Sequence, residues 1–501
     1  MLRKTRHLSA EALYILLLGL LSGAFITLLS YSTSPLYPYY VGNDSAFFRM
    51  VGQAMTKGML PYRDIFDMKG PYLFVIEYIG QLICFGRVGI FLLQIINLWL
   101  VLFLADRLCC LLGSEGKGTR LFMAVSVLSI AALVLPAGNY TEEFSLVPLF
   151  SCVYICSKFF KSMDSGTWTK RKLFLAGGWF GLMLGFLVFV RVTNASLIGG
   201  LIVAVVIVLI AEKHASWIWP CAVGCILGLF VAVIPPIAFF WAKGLLREFY
   251  EAVFVLGMRY STEYSLLYHL TQTLSYNGIR SATLLILVII TMLPTVFRWS
   301  SYKIRLMLVL SGLFTFFAIS AGLNFRHYYI LILPPVTIGV TALLQEYRNR
   351  SVLKKTVAVL TVAALILISP IYMVRSGNTP FAFRKESQQP STEEALTVDA
   401  VSYVPDDERE SIFVYNIRPY VYLYADIYPC IKYCAWQKHY IDLMPQIEQE
   451  LQEIFASAPP KWVLLKSEPE TFPDFLNTAL STAYQEYYSN EIFVLHRLNE
   501  Q

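Results

Sequence analysis

Charged side chains are scarce in this chain. Only 15% of its 501 residues are Asp, Glu, Lys or Arg, whereas 56% are hydrophobic. The mean hydropathy of +0.57 is too high for a typical soluble globular protein, so the composition predicts an integral membrane protein. The 40 Lys and Arg exceed the 34 Asp and Glu only slightly, and this balance does not indicate a nucleic-acid partner.

Several motifs of soluble enzymes are also missing. The sequence has no zinc-type spacing of Cys and His, no glycine-rich phosphate loop and no nucleophile elbow. Most of the nine cysteines lie in or beside apolar runs, where cysteine usually acts as a small hydrophobe. Only Cys430 and Cys434 lie in polar sequence, and for this pair a disulfide and two free thiols both remain open.

Long apolar runs are abundant. A hydrocarbon core about 30 Å thick needs about 20 residues of helix, and the chain offers about eleven runs of roughly that length. We therefore predict a multi-pass α-helical membrane protein. The predicted spans are 12–31, 88–108, 121–137, 144–160, 173–190, 195–211, 217–241, 281–297, 306–322, 328–345 and 355–373.

Basic residues set the predicted orientation. Short loops rich in Lys and Arg stay in the cytoplasm, and such loops alternate along the chain from the N-terminal Arg3, Lys4 and Arg6 onward. The N-terminus is therefore expected to be cytoplasmic. With an odd number of spans, the polar tail is expected outside the cell membrane, and the first outer loop, 31–87, is long.

The tail differs in composition from the rest of the chain. Charged residues return there, so we predict a membrane domain at 1–375 and an extracytoplasmic α/β domain at 376–501, joined by a linker at 376–395. The predicted elements of the tail are strands at Ile412–Tyr415 and Trp462–Leu465 and a helix near Ile441–Phe455.

The first outer loop contains a segment with helical periodicity between Asp44 and Gly58. Its apolar residues recur at helical spacing, which predicts an amphipathic juxtamembrane helix lying on the outer leaflet. Asn43 or Asp44 is expected to cap its start, and Gly58 with Pro61 to end it. Asp44 is thus either a helix cap or a carboxylate that acts on a substrate at the membrane surface.

Asp67 and Lys69 precede the next apolar segment. One interpretation is a surface ion pair, which would contribute little. The other is that the Lys69 ammonium binds a lipid-linked phosphate at headgroup depth, where water is scarce.

The remaining predicted outer loops also carry polar clusters. Arg191 alone is explained by snorkelling and His327 alone by an interfacial structural role. Because all the clusters fall on one predicted face of the membrane, we expect a site assembled from several loops. The residues concerned are Glu142, Glu143, Arg191, Arg259, Arg326, His327 and Tyr328.

Three motifs of the first outer loop carry a family resemblance: Gly42-Asn43-Asp44-Ser45, Gly58-x-x-Pro61-Tyr62-x-Asp64 and Asp67-x-Lys69-Gly70-Pro71. They resemble the GT-C superfamily of polyprenyl-phosphate-sugar-dependent glycosyltransferases, in the protein mannosyltransferase and aminoarabinose transferase branch. The resemblance implies a GT-C fold with its active site at the outer face, Asp44 as catalytic base and Lys69 on the donor phosphate. Protein mannosyltransferases carry Glu where this chain has Ser45, which weakens the case for a protein acceptor.

The proposed chemistry needs a base and a cation. The base takes the proton of the acceptor hydroxyl, and the cation offsets the charge that grows on the leaving phosphate. Asp44 suits the first role, and Lys69 with Arg191, Arg259 or Arg326 the second. The expected outcome is inversion, because no second carboxylate is evident as a nucleophile. The residues predicted to bind substrate or support the site are Tyr62, Asp67, Glu142, Glu143, His327 and Tyr328.

No cofactor is expected, although a divalent metal held by Asp44 and Glu143 is an alternative. The expected partners are the bilayer, a polyprenyl-phosphate sugar and an envelope glycan, lipid or protein as acceptor, with no nucleic acid. A flippase for lipid-linked glycan and an O-antigen-type polymerase are the competing functions. The flippase is disfavoured because the predicted spans contain few charges near their centres and no internal repeat is apparent.

Overall fold

The computed structural model describes residues 2–135, 137–163, 166–275, 278–346, 352–377, 379–467 and 472–499. By compactness the chain divides into two units. The first, here the helical unit, comprises Met1–Ser34, Phe91–Ala238 and Tyr264–Phe383. The second, here the mixed unit, comprises Pro35–Ile90, Phe239–Glu263 and Arg384–Gln501. This grouping differs from the predicted division into 1–375 and 376–501, because most of the first outer loop and the segment 239–263 group with the tail.

Helices dominate the described residues. The α-helices up to residue 263 are α1 (Leu2–Leu29), α2 (Asn43–Thr56), α3 (Pro71–Ile83), α4 (Val88–Leu111), α5 (Lys117–Val134), α6 (Thr141–Met163), α7 (Lys170–Val188), α8 (Ser196–Ala211), α9 (Ile218–Ala242), α10 (Leu246–Tyr250) and α11 (Gly257–Thr262). Those that follow are α12 (Leu266–Ser275), α13 (Ile279–Val296), α14 (Tyr302–Ser320), α15 (Leu333–Glu346), α16 (Val352–Ser376), α17 (Pro380–Glu386), α18 (Thr392–Ser402), α19 (Tyr420–Tyr424), α20 (Gln437–Leu443), α21 (Gln446–Ser457) and α22 (Asp474–Ala483). The strands are β1 (Ile412–Val414), β2 (Trp462–Lys466), β3 (Tyr484–Ser489) and β4 (Phe493–Leu498).

Eleven helical segments in the described part of the chain are long and apolar enough to cross a membrane. They fall where the apolar runs predicted them, so the multi-pass prediction is confirmed. The adjacent short spans predicted at 173–190 and 195–211 correspond to α7 and α8, with a 3₁₀ turn at Val192–Ala195 before α8.

Helices α7 and α9 of the helical unit pack backbone to backbone. Gly181 of α7 lies against the carbonyl of Cys225, and a Cβ added there would be only 1.8 Å from that oxygen. Gly228 of α9 lies equally close to the carbonyl of Gly178. Small residues at four-residue intervals allow such close approach between membrane helices, where dispersion between the helices replaces the hydrophobic effect.

A buried ion network joins α1, α4 and α5 in the same unit. The guanidinium of Arg120 donates to Asp106 at 2.6 and 2.8 Å and to Glu11 at 2.9 and 3.0 Å, and it stacks on the Tyr14 ring at 4.2 Å. Because Asp106 is only 2% exposed, this pairing is what makes its charge tolerable inside the unit.

The tail contributes a four-stranded sheet to the mixed unit, in the order β1-β2-β4-β3. The β1–β2 pair is parallel, whereas β4 pairs antiparallel with both β2 and β3. The two predicted strands are confirmed as β1 and β2, and the predicted helix near Ile441–Phe455 is represented by α20 and α21. The hairpin of β3 and β4 was not predicted.

The predicted linker at 376–395 is wrong as a description of this segment. Most of it is helical, since α16 runs to Ser376, α17 follows and α18 begins at Thr392. Ser391 accepts the Glu394 backbone N–H while the Glu394 carboxylate accepts that of Ser391, so α18 starts with a complete capping box.

Cys430 and Cys434 are both free thiols in the structure. Burial raises the pKa of Cys430 to about 12 and that of Cys434 well above its ordinary value. Both are therefore held in the unreactive thiol form at neutral pH.

The close packing of α7 on α9 gives a testable contrast between two neighbouring glycines. Gly181→Ala should destabilise the detergent-solubilised protein by about 1–3 kcal/mol because the new methyl group has no room. Gly178→Ala should not destabilise it, since its Cβ would lie 3.6 Å from the nearest atom and alanine favours the helix. Thermal unfolding of the two variants measures the difference, and equal midpoints would contradict the packing described here.

Candidate active site

Helix α2 of the mixed unit carries the predicted base. Its N-cap is Gly42, with no side-chain hydrogen bond, so the expectation that Asn43 or Asp44 caps the helix is wrong. Asn43 is the first helical residue, and Asp44 lies in the first turn, where the helix dipole favours a carboxylate. Gly58 follows the helix with φ of 87°, as expected for the residue that ends it.

Helix α2 does not expose one polar face and bury the other, as the amphipathic prediction required. It packs against α3 and against α19 of the tail, and a continuous stretch from Ser45 to Gly52 is buried. The sequence period was correctly identified, but protein rather than lipid covers much of this helix.

The loop after α2 is organised by Asp67, which is 1% exposed. One carboxylate oxygen accepts the backbone N–H of Lys69 at 2.8 Å, and the other accepts the hydroxyl of Tyr440 at 2.7 Å. Burial, together with the Asp67 charge, raises the pKa of Tyr440 well above its ordinary value, so the phenol remains a donor. Asp67 therefore fixes the loop, a geometry that fits a supporting role.

Tyr62 holds the same loop from within. It adopts a φ of 71°, is fully buried, and donates its hydroxyl to the carbonyl of Lys69 at 2.7 Å. The ring packs against Phe240 and Phe249 at centroid distances of 5.1 and 5.5 Å. The backbone of Lys69 is thus fixed on both sides, by Asp67 through its N–H and by Tyr62 through its carbonyl.

The Lys69 side chain is not used in the way the surface ion-pair interpretation required. No carboxylate of the described residues pairs with its ammonium, and Asp67 engages only its backbone. The Nζ atom lies 5.9 Å from the centroid of the Phe48 ring of α2. A half-buried cation on an aromatic ring, held by a fixed backbone, is available for an anionic ligand.

Arg259 provides a second cation in the mixed unit. It lies on α11, directly after the π-helical turn Glu251–Leu256, a type of distortion that is frequent at functional sites. Its guanidinium donates to the carbonyl of Leu443 at 2.7 Å, and no carboxylate of the described chain pairs with it.

Sequence reasoning missed the contribution of α20 in the tail. Trp436, just before this helix, packs on Phe47 of α2 at 4.9 Å, and His439 meets Tyr260 edge to face at 5.8 Å. Tyr440 binds Asp67, as described above. The only signal in the sequence was a Trp-x-x-His-Tyr cluster in an otherwise polar tail, which no spacing rule links to the first loop.

A separate polar cluster lies in the helical unit, around Glu142. The carboxylate is 1% exposed, and its Oε1 accepts a hydrogen bond from Arg191, whose guanidinium stacks on Tyr328 at 4.0 Å. Oε2 lies 3.9 Å from Nε2 of His327, and the His327 ring is stacked on Tyr140 at 4.2 Å. Four residues predicted from three separate loops, Glu142, Arg191, His327 and Tyr328, are therefore neighbours.

Glu143, beside it, makes different contacts. Its two carboxylate oxygens accept hydrogen bonds from the Gln94 amide at 2.9 and 3.0 Å, and one of them also accepts the Asn139 N–H at 2.9 Å. The predicted Arg326 donates to the carbonyl of Leu133. The phosphate-binding roles of Arg191 and Arg326 stay predictions, since each guanidinium already has a partner within its own unit.

His269, which was not predicted, is a further buried polar group of the helical unit. It is 5% exposed, and its Nδ1 lies 3.1 Å from the carbonyl of Gly322. Gly322 in turn packs against Tyr328 of the Glu142 cluster, since a Cβ at Gly322 would lie 2.9 Å from the Tyr328 ring. His269 is therefore connected to this cluster by its contact with the Gly322 carbonyl.

The described residues contain no group of three or more His, Cys, Asp or Glu side chains arranged to hold a metal ion. Both oxygens of Glu143 are already engaged by protein donors. Of the suggested metal ligands, Asp44 belongs to the mixed unit and Glu143 to the helical unit, and the metal site stays an alternative.

Comparison with known proteins gives a match in structure alone. No protein-family model matches the chain, and no curated protein matches it in sequence. The fold is similar to the crystal structure of ArnT from Cupriavidus metallidurans bound to undecaprenyl phosphate, with a TM-score of 0.62, 12% identity, and coverage of 97% of this chain and 98% of that one. The apo structure of the same protein gives a TM-score of 0.56 at 12% identity, covering 98% of both chains. The likeness confirms the predicted GT-C fold with its C-terminal α/β region.

The pairing of Arg191 with Glu142 can be tested by stability. Arg191→Met should destabilise the protein by about 3–5 kcal/mol, because it leaves a buried carboxylate without its cation. The double variant Glu142→Gln/Arg191→Met should recover most of that loss. Thermal unfolding of the purified protein provides the measurement.

Arg247→Met is the matched control, because Arg247 pairs with Glu251 at 2.8 Å on the exposed surface. Its loss should leave the unfolding midpoint unchanged. Additive effects of the two substitutions at 142 and 191 would contradict the buried pairing.

Proposed function

We propose that this chain is a membrane glycosyltransferase that moves a sugar from a polyprenyl-phosphate donor to an acceptor of the cell envelope. The observation that carries the proposal is Lys69: its backbone is fixed by Tyr62 and Asp67, its half-buried ammonium has no carboxylate partner among the described residues, and it lies 5.9 Å from the Phe48 ring of α2, the helix that bears Asp44. The fold adds support, because a protein with the same fold has been crystallised with undecaprenyl phosphate.

The proposed reaction is a direct displacement. Asp44 takes the proton of an acceptor hydroxyl, and the acceptor oxygen attacks the anomeric carbon of the donor sugar. The bond between that carbon and the phosphate oxygen breaks, and polyprenyl phosphate leaves with the bonding electron pair. One displacement inverts the anomeric configuration.

The cations of the mixed unit act on the leaving group. As the bond breaks, negative charge grows on the phosphate, and Lys69 stabilises it from a position fixed by Tyr62 and Asp67. Arg259 is the second candidate, because its guanidinium contacts only a carbonyl among the described residues. The acceptor is an envelope glycan, lipid or protein, and the basic loops support an active site at the outer face with the N-terminus in the cytoplasm.

The first test is transfer of radiolabelled sugar from a panel of polyprenyl-phosphate monosaccharides to a crude envelope extract by purified protein. The wild type should transfer label from one donor, and Asp44→Asn should lower the rate at least about 100-fold because the base is lost. The control is Asp64→Asn, since asparagine at 64 can still accept the Leu60 N–H. Full activity of Asp44→Asn would remove Asp44 as the base.

The same assay tests the competing function. If no donor reacts but lipid-linked glycan crosses liposomes that contain the protein, the chain is a flippase and not a transferase.

Lys69→Ala should raise the donor KM about 10- to 100-fold, because a charge-assisted contact to phosphate is lost. Lys57→Ala is the control, since Lys57 is exposed at the end of α2. Donor titrations of both variants give the comparison. Equal KM values for Lys69→Ala and Lys57→Ala would separate Lys69 from donor binding.

We also propose that transfer needs no divalent metal. The displacement relies on protein cations, and the Glu143 carboxylate already accepts hydrogen bonds at both oxygens. Exhaustive chelation should leave the transfer rate unchanged. Loss of activity that a divalent cation restores would overturn this proposal.

A further inference from the structure

One face of α2 brings together the groups that matter for the reaction. Asp44, Phe47 and Phe48 stand at positions i, i+3 and i+4, so their side chains share a face of the helix. Two side chains from elsewhere in the mixed unit cover the aromatic part of that face: Lys69 lies over Phe48, and Trp436 lies against Phe47. The indole therefore lies on Phe47, three positions after Asp44, and Phe47 adjoins the Phe48 ring that Lys69 contacts.

The backbone of Trp436 is unusual for a large side chain. Its φ and ψ are 51° and 33°, in the left-handed region that bulky L-residues rarely adopt. Glycine or asparagine would occupy this position at lower cost if it served only to start α20. A tryptophan kept in an unfavourable conformation implies that the indole itself has a task.

Burial in the protein core does not account for the indole. Trp436 is only half-buried, and its Nε1–H donates no hydrogen bond to the described residues. Its known ring neighbours are Phe47 at 4.9 Å and Tyr440 at 6.3 Å. A large aromatic surface and one N–H donor thus remain for a ligand that is partly apolar and partly hydroxylic.

We propose that Trp436 is the platform on which the transferred sugar of the donor stacks. The inference rests on the proposed function. With the phosphate at Lys69 and the anomeric carbon directed toward Asp44, the sugar ring lies beside the first turns of α2, against the indole of Trp436. The C–H face of the sugar meets the indole, and the Nε1–H donates to a sugar hydroxyl.

The test separates binding of the sugar from binding of the lipid phosphate. Affinity is measured for two probes: undecaprenyl phosphate and the polyprenyl-phosphate monosaccharide that the donor panel identifies. Trp436→Gly should weaken binding of the sugar lipid about tenfold and leave undecaprenyl phosphate binding unchanged. Lys69→Ala should weaken binding of both probes.

Two further variants guard against a folding defect. Trp436→Leu keeps an apolar contact with Phe47 but has no ring, so it should show the same selective loss. Trp436→Phe restores a ring and should recover part of the affinity. Asp426→Gly is the control for backbone relaxation, because Asp426 is exposed in the same tail with φ of 51°, and it should bind both probes as the wild type does.

The outcomes distinguish the two proposals. Equal weakening of both probes in Trp436→Gly and Trp436→Leu, or no weakening in either, would overturn the sugar platform and leave the transferase intact. If the wild-type protein binds and transfers no sugar lipid of the panel, the proposed function fails, and the platform fails with it.

Discussion

A charge removed from water must be matched by another charge or by hydrogen bonds, and this constraint shapes both units of the chain. In the helical unit, Asp106 is paired with Arg120, and Glu142 with Arg191. In the mixed unit, the buried Asp67 is matched by two neutral donors. Against this background Lys69 stands out, because its ammonium has no such partner among the described residues. Because these buried carboxylates all have partners, the lack of a carboxylate partner at Lys69 points to a functional role for its ammonium.

Much of the helical architecture could be predicted from the sequence because a membrane allows few solutions. A run of about 20 apolar residues has to be a helix, since unpaired backbone groups are not tolerated in lipid. The tail was harder because no such constraint acts on it. Strands β1 and β2 were predicted because they are apolar runs. Strand β3 reads Tyr-Gln-Glu-Tyr-Tyr-Ser and is largely exposed, so its sequence shows no alternation of apolar and polar residues that would predict a strand. The segment 376–395 was taken for a linker from its Ser, Gln and Pro content, although Ser391 and Glu394 encode a helix start.

The candidate site divides in the same way. Asp44 and Lys69 were found because they lie in one loop with recognisable neighbours and because their chemistry is distinctive. Periodicity located α2 but did not reveal what covers it, since α3 and α19 pack on it through tertiary contacts. Trp436 and Tyr440 were missed for the same reason: nothing local in the tail shows that they face the first loop. One of the two interpretations of Asp67 likewise paired it with the adjacent Lys69 side chain, whereas its partners are the Lys69 backbone N–H and the distant Tyr440 phenol.

The hydrogen bond between Asp67 and Tyr440 joins residues 373 positions apart. During synthesis Asp67 emerges long before Tyr440. For most of that time the Asp67 carboxylate can accept the Lys69 N–H but not the Tyr440 hydroxyl. Closing a contact of this sequence separation carries a large entropic cost and comes late in folding. The first loop therefore reaches its final geometry only once the tail has been made, and a chain that stalls before residue 440 cannot hold Lys69 as the finished protein does. A chain that ends before residue 440 therefore lacks one of the two contacts that hold the Asp67 carboxylate.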